Sequence, residues 1–387
     1  MRKLRWLTAG ESHGKGLVGV LEGLPAGLEI TEDYIASQLA RRQKGHGRGQ
    51  RMDIESDRAE IYSGIRHGSS LGSPIALIIP NRDWANWQQV MSVGPVEDGI
   101  EPVTLPRPGH GDLAGARKYG FTDIRNVLER ASARETAMRV ALGSIARKFL
   151  GDLDIEVGSR VLAIHDARDE SALPDGLSPE GLNALVDGSP VRCLDKKAEK
   201  AMIRAIDDAQ GVGDSVGGIF EVIATGIPYG LGSHTQWDLK LKARLGEAIV
   251  SINAIEGMEI GLGFVGVERP GSTFHDEIIK EDDPERLTRS TNNAGGIEAG
   301  MSNAQPVIIR AVMKPIPTLA KPLKSVDIQT GEPGQAHKER TDACAVPAAA
   351  VVAESMVCLV LADALLEKFG GDSMKQVKAH MHATARY

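Results

Sequence analysis

Pro347-Ala348-Ala349-Ala350-Val351-Val352-Ala353-Glu354-Ser355-Met356-Val357-Cys358-Leu359-Val360-Leu361-Ala362-Asp363-Ala364-Leu365-Leu366-Glu367-Lys368-Phe369 is the stretch that decides the fold. A helix that is apolar nearly all round has no face for water and must be deeply buried. Pro347, Glu354 and Asp363 interrupt the apolar run, which favours a core helix over a membrane span. Outward from it, Ser132-Ala133-Arg134-Glu135 matches a capping box and predicts a long helix to about Leu150. Met138, Leu142, Ile145 and Phe149 recur along it at helical spacing. Thr31, followed by Glu32 and Asp33, reads as a helix start, with Ile35 and Leu39 on one face and an end near Arg42. Trp237 to Ile255 reads as another helix, and Ala198 to Ala209 as a surface helix. Ile75 to Ile79, Gly218 to Thr225 and Val307 to Met313 read as strands. Gly217-Gly218-Ile219 with Glu221 echoes Gly295-Gly296-Ile297-Glu298 and hints at a duplicated unit. No low-complexity linker divides the chain, so one integrated domain over 1–387 is expected.

The chain has 387 residues, 42% apolar and 25% charged, a normal balance for a globular protein with a sizeable core. Its net charge of −7 argues against general nucleic-acid binding. Three cysteines, Cys193, Cys344 and Cys358, form no Cys-x-x-Cys pair. That excludes a disulfide framework and favours a reducing compartment. No signal-peptide pattern is seen at the start, so the expectation is a cytoplasmic protein with no membrane association.

Against this acidic background the arginines gather on glycine-punctuated segments. Arg41, Arg42, Lys44, Arg48 and Arg51 crowd one helix end and loop, while Arg107, Arg130, Arg134 and Arg340 sit at other turns. Guanidinium groups fork onto carboxylates and phosphates, so the pattern points to a small polyanionic ligand. A solvated basic face is the plain alternative. An oligonucleotide site on the Arg42 to Arg51 loop lacks the interleaved aromatics that stack bases. Two histidines, His13 in Gly10-Glu11-Ser12-His13-Gly14 and His110 in Arg107-Pro108-Gly109-His110-Gly111-Asp112, lie in glycine-bounded turns. They are either ordinary turn residues or two proton-transfer groups. No Asp, Glu and His spacing resembles a metal cage, so no metal is expected. Asn292 and Asn293, in a glycine loop, are candidates to read the edge of a heterocycle, and Lys314 ends a strand where it can meet an anion. Gly-x-Gly-x-x-Gly after a strand, a Walker lysine and Gly-x-Ser-x-Gly are all missing, so dinucleotide, P-loop and serine-hydrolase sites are unsupported.

These motifs, with Arg130-Ala131-Ser132-Ala133-Arg134-Glu135-Thr136, Gly211-Val212-Gly213-Asp214-Ser215-Val216-Gly217-Gly218, Ser251-Ile252-Asn253-Ala254, Asn293-Ala294-Gly295-Gly296, Lys314-Pro315-Ile316-Pro317-Thr318 and Arg340-Thr341-Asp342, resemble the chorismate synthase family from Leu7 to about Leu366. The resemblance implies an α+β fold, a β-α-β sandwich with long apolar helices between two antiparallel sheets and an internal pseudo-repeat. It implies a lyase that makes chorismate by 1,4-anti elimination of phosphate from 5-enolpyruvylshikimate 3-phosphate. Reduced FMN is required without net redox change, lending an electron transiently and accepting hydrogen at N5. NADP is associated with the family, but the chain has no room for a fused flavin reductase, so the reduced flavin comes from elsewhere. Homotetramers are implied as well.

By the same resemblance, His13 protonates the departing phosphate, His110 protonates reduced flavin near N1, and Asp342 relays a proton near N5. Arg42, Arg48, Arg51, Arg107, Arg134 and Arg340 match the substrate clamp, with Arg340 also on the flavin. Arg130, Ala131, Ser132, Asn253, Ala254, Ala299, Lys314, Pro315, Ile316, Pro317 and Thr318 match the FMN site. Gly111, His46 and Ala299 depart from the residues common at their positions, and the methyl of Ala299 crowds a flavin contact usually made by glycine. A flavin- or phosphate-binding module without catalysis, and a flavin oxidoreductase, are the competing readings. The first tolerates loss of His13 and His110, and the second shows net flavin turnover.

Overall fold

The computed structural model describes residues 3–48, 56–96, 99–280, 287–339 and 342–384. In chain order its framework is β1 (Arg5–Ala9), β2 (Gly16–Glu22), α1 (Glu32–Gln43), β3 (Glu60–Ser63), β4 (Ile75–Pro80), α2 (Arg125–Ala131) and α3 (Thr136–Gly151). Then follow β5 (Glu156–Ile164), β6 (Gly218–Thr225), α4 (Leu241–Val250), β7 (Ile255–Ile260), β8 (Val307–Met313) and α5 (Val346–Phe369). One antiparallel sheet has the order β1-β2-β4-β3. The other has the order β7-β8-β6-β5, extended by the short strand Ala167–Arg168. α3 lies on the first sheet, α5 on the second, and the two helices pack along each other with α1 and α4 beside them. This is the expected β-α-β sandwich.

The pseudo-repeat is visible in the topology. Leaving α2 aside, each half runs strand, strand, helix, strand, strand and then a long apolar helix, and each sheet inserts its fourth strand between the second and third. The two Gly-Gly-Ile segments do not mark it. Gly218 opens β6, the second strand of its half, whereas Ile297–Glu298 is a two-residue strand in a hairpin between β7 and β8.

Strand register in the second sheet is pinned by charge. Arg160, Glu221, Arg310 and Glu259 stand side by side on β5, β6, β8 and β7. Arg160 and Arg310 reach Glu221 at 3.2 and 2.8 Å, and Arg310 approaches Glu259 at 3.5 Å. A one-residue slip would turn each of these groups to the other face.

α5 is long and apolar enough in composition to cross a membrane, yet 94% of its most apolar stretch is buried inside the protein. Close contact with α3 needs Gly143, where an added Cβ would come within 2.4 Å of Ser355 Cβ. Two carboxylates on α5 face inward. Asp363 accepts from the backbone N–H groups of Lys3 and Leu4 at 2.7 and 2.8 Å and pairs with Arg244 of α4. Glu354, 0% exposed, takes Arg41 from α1, Arg147 from α3, Arg192 from the loop after the helix Pro179–Val186, and the Ser159 hydroxyl from β5.

Several boundaries differ from expectation. Ser132 caps Arg134 N at 3.3 Å, and Glu135 pairs forward with Arg139 instead of reaching back. A tight turn over Ala133–Glu135 therefore precedes α3. The helix expected over Trp237 to Ile255 is only Leu241–Val250, because Lys240 is extended (ψ 125°) and Ile255 already begins β7.

Burial alone would push the Glu354 carboxyl up, but the charges of Arg41, Arg147 and Arg192 bring it down from 4.5 to about 2. Since the folded value lies below the ordinary one, this stabilisation is present above pH 4.5 and is lost as the pH falls toward 2. Glu354→Gln is expected to lower unfolding stability at pH 7 by about 3 kcal/mol and to remove that part of the acid slope. Denaturant titrations at pH 7 and through the acid range measure both, and equal stability of parent and variant at pH 7 would show the cluster to be energetically idle.

Candidate functional site

A cleft of about 350 Å³ opens where the C-terminal end of α2, the first turn of α3 and the start of α5 meet the loops after β1, α4 and β8. Its lining includes His13, His110, Asp342, Arg42, Arg48, Arg107 and Arg134. Ala131, Ser132, Asn253, Ala254, Lys314, Ile316, Pro317 and Thr318 line it too. Arg51 and Arg340 lie outside the described residues.

The His13 loop is held from two sides. Buried Asn81, just beyond β4, donates its amide to the carbonyls of Glu11, Ser12 and Gly14 at 3.1, 3.2 and 2.9 Å. Glu129 of α2, 2% exposed, accepts from His13 N at 2.8 Å and meets His13 Nδ1 at 3.0 Å. Burial works against the Glu129 anion, but the hydrogen bond and charge of His13 lead the contributions that hold its carboxyl below the usual range. Trp87 stacks on the imidazole with ring centroids 3.9 Å apart.

His110 has a matching arrangement. Its Nδ1 meets Asp112 Oδ1 at 2.5 Å, and Arg107 Nε donates to the other oxygen of the same buried carboxylate at 2.8 Å. Burial opposes ionisation of Asp112, yet hydrogen bonds from His110 and Arg107 drive it well below the usual carboxylate range. A carboxylate at Nδ1 fixes an imidazole with Nδ1–H and leaves Nε2 for proton transfer.

The arginines are preset by protein acceptors. Arg134 donates to Asn81 Oδ1 at 3.0 Å and to Asp57 at 2.5 Å. Arg42, 4% exposed, donates to Thr136 Oγ1 and the Ala133 carbonyl at 3.0 and 2.9 Å. Among the described residues its buried Nη1 has no hydrogen-bond partner, lying 3.8 Å from Asp57 Oδ2. Burial lowers its pKa to about 10, so it remains a cation at neutral pH. Arg48 pairs with Asp342 at 3.1 Å.

The opposite wall is stitched together by hydrogen bonds. Asn253 Nδ2 donates to the Ala131 carbonyl at 3.0 Å, Lys314 N to the Ala254 carbonyl at 2.9 Å, and Arg107 Nη1 to Thr318 Oγ1 at 3.0 Å. Ala254 takes a left-handed conformation, φ 64°. Among the described residues no donor reaches the buried Asn253 Oδ1.

Some expected residues lie elsewhere. Arg130 clamps the Thr8 and Gly10 carbonyls at 2.9 and 3.1 Å, and Pro315 is not on the cleft wall. Ala299 sits in the hairpin turn between Ile297–Glu298 and Met301–Ser302. There the neighbouring Gly300 carbonyl accepts Leu241 N, at the start of α4. Asn253 follows the other end of that helix, about 15 Å away for ten residues. The amides of Asn292 and Asn293 are spent on the Pro306 and Phe274 carbonyls within their own loop, so they do not reach the cleft. Lys314 is paired with Glu256 at 2.5 Å.

Glu129, Asp57, Asn81 and Trp87 carry no motif of their own in a single sequence. Arg125 and Glu129, four residues apart on α2, were the one local signal, and they do pair at 2.8 Å.

The sequence model of the chorismate synthase family matches residues 4–366. A chorismate synthase of Geobacillus sp. (strain WCH70) is 53% identical over 387 residues, covering 99% of each chain. A chorismate synthase 2 of Bacillus cereus (strain ATCC 14579) is 54% identical over 383 residues, 98% of this chain and 97% of its own. A crystal structure of chorismate synthase superposes with a TM-score of 0.79 at 42% identity, covering 100% of this chain and 98% of the other. With one family spanning nearly its whole length in both sequence and fold, this chain belongs to the chorismate synthase family.

Proposed function

We propose that the cleft binds reduced FMN together with 5-enolpyruvylshikimate 3-phosphate, and that His13, His110 and the preset arginines carry the family's reaction there. That reaction, in aromatic amino acid biosynthesis, is the 1,4-anti elimination of phosphate and a ring proton to give chorismate. The observation that carries the reading is convergence. Two imidazoles, each backed at Nδ1 by a buried carboxylate, share one cleft with Arg42, Arg48, Arg107 and Arg134.

The substrate bears a phosphate and two carboxylates, and guanidinium groups suit all three. The unpartnered Nη1 of Arg42 is a donor prepared for such a group. The flavin fits the facing wall. Asn253 Oδ1 is a buried acceptor awaiting a donor, and Ile316 and Pro317 offer an apolar surface to a planar ring. Ala131, Ser132, Asn253, Ala254, Lys314 and Thr318 would hold it. Bound reduced FMN supplies reducing power transiently, with no net redox change.

His13 delivers a proton from Nε2 to the leaving phosphate, lowering the barrier to its departure. His110 holds a proton at Nε2 for the flavin side, and Asp342, oriented by Arg48, relays one. Arg107 both faces the substrate and fixes His110 through Asp112. Arg51 and Arg340 complete the clamp in this reading, Arg340 at the flavin as well.

Ala299 lies a helix length from Asn253, so it touches the flavin only when supplied by another chain of a homotetramer. We read residues 1–387 as one domain, since a single hydrophobic core includes both sheets. The three cysteines are buried thiols that burial pushes up to about 12 for Cys193 and about 11 for Cys344 and Cys358. Such thiols suit a cytoplasmic enzyme, and in this reading its reduced flavin comes from an external source.

The test is anaerobic. Photoreduced FMN, substrate and protein are mixed, and chorismate absorbance is followed with phosphate release. Equal release of both, with flavin still reduced, is expected; net flavin oxidation would favour an oxidoreductase instead. His13→Ala and His110→Ala should each lower kcat by roughly 100-fold or more while FMN affinity, read by flavin fluorescence, stays within about threefold. Normal turnover by either variant removes that histidine from the mechanism. Arg48→Ala should raise the substrate KM by roughly 10-fold or more, the loss of one charge-assisted contact, without weakening FMN binding.

A further inference from the structure

His13, Trp87, Arg125 and Glu129 close a ring of contacts. Glu129 meets His13 Nδ1 at 3.0 Å, His13 stacks on Trp87 at 3.9 Å, the Arg125 guanidinium lies 5.2 Å from the Trp87 ring centre, and Arg125 donates to Glu129 at 2.8 Å. Glu129 grips the same loop twice more. Its carboxylate accepts His13 N at 2.8 Å, and its backbone carbonyl accepts Ser12 N at 3.0 Å. No other described residue in the cleft is held simultaneously at its backbone, ring edge and ring face.

We propose that Glu129 is a positioning residue for His13, locking the imidazole at its backbone and Nδ1 so that Nε2 faces the cleft. The proposal rests on the reading of His13 as the proton donor to the leaving phosphate. Glu129 does not itself exchange a proton. Its carboxylate stays ionised behind the ring, where His13 and Arg125 hold it below the usual range against its own burial. A fixed carboxylate at Nδ1 sets the orientation of the ring and directs Nε2 to the leaving group.

The other charged groups around the ring are Arg125 on α2 and, at the cleft edge, Glu339, which lies 3.7 Å from Arg125 and pairs with His337 at 2.9 Å. Trp87 prevents the ring from tipping about its Cβ–Cγ bond.

The experiment compares pH profiles of kcat and kcat/KM for the parent, Glu129→Gln, Glu129→Asp and His13→Ala, using photoreduced FMN and 5-enolpyruvylshikimate 3-phosphate. Glu129→Gln keeps an acceptor at Nδ1 but removes the charge. It should leave FMN affinity and substrate KM within about threefold, lower kcat roughly 10- to 100-fold, and move the alkaline limb down by about one pH unit. Glu129→Asp, which keeps the charge, should return the limb to the parental position.

A Glu129→Gln enzyme with parental kcat and an unmoved limb overturns the proposal, and so does a loss of kcat with an unmoved limb, which marks a purely structural role. Should Glu129→Gln fail to fold, Arg125→Gln reads the same coupling with opposite sign. Its limb should move up, and an unmoved limb there is equally decisive against it. Parental turnover by His13→Ala would instead sink the reading of His13 itself. An inactive His13→Ala beside a parental Glu129→Gln leaves that reading standing and removes only the positioning role.

Discussion

A carboxylate with no access to water sits at the middle of α5, and much of the molecule is arranged to keep it charged. Glu354 gathers Arg41, Arg147 and Arg192 from three separate segments. A lone buried charge is untenable, so these segments have to converge. The consequence reaches the cleft. Successive helix residues point about 100° apart, so once Arg41 is committed to the core, Arg42 is directed to the side of α1 that faces α3. There it meets Thr136 and the Ala133 carbonyl at the cleft wall. The neutralised core thereby sets the aim of the first arginine in the anion site.

Within the cleft one device is used twice. His13 and His110 each lean on an acidic residue at Nδ1, and each acid is restrained by an arginine, Arg125 in one case and Arg107 in the other. The arginines of the clamp are likewise tethered before any ligand arrives, Arg134 by Asp57 and Arg48 by Asp342. Positive charge is thus presented in fixed directions, without long side chains that have to be ordered upon binding. These tethers also explain how an acidic chain sustains a local cationic cleft.

Legibility in the sequence followed the range of the forces involved. β6 and β8 were read at their observed limits because a run of β-branched residues bounded by glycine or lysine is a local signal. α5 was legible because composition alone forbids it a wet face. The start of α3 was not, since Glu135 had a rival partner in Arg139 that a capping template ignores. The cleft's cationic and imidazole groups stood out in glycine-rich motifs, yet their partners did not. Glu129 lies 116 positions from His13, and Asp57 lies 77 from Arg134. Pairings of that kind are decided by the fold, and one sequence holds no trace of them. Ala299 illustrates the converse, a residue assigned by resemblance whose place in the fold is a helix length from its supposed neighbours.

The order of translation gives α5 a further significance. Both sheets and α3 are encoded ahead of it, so a nascent chain carries both outer layers and part of the middle one before the helix that completes the middle exists. Until residues 346–369 leave the ribosome, the second sheet lacks the helix that covers its inner face, while the first already has α3. The last long helix to emerge is also the most apolar, so the middle layer is completed late in synthesis, by the element that depends most on being buried.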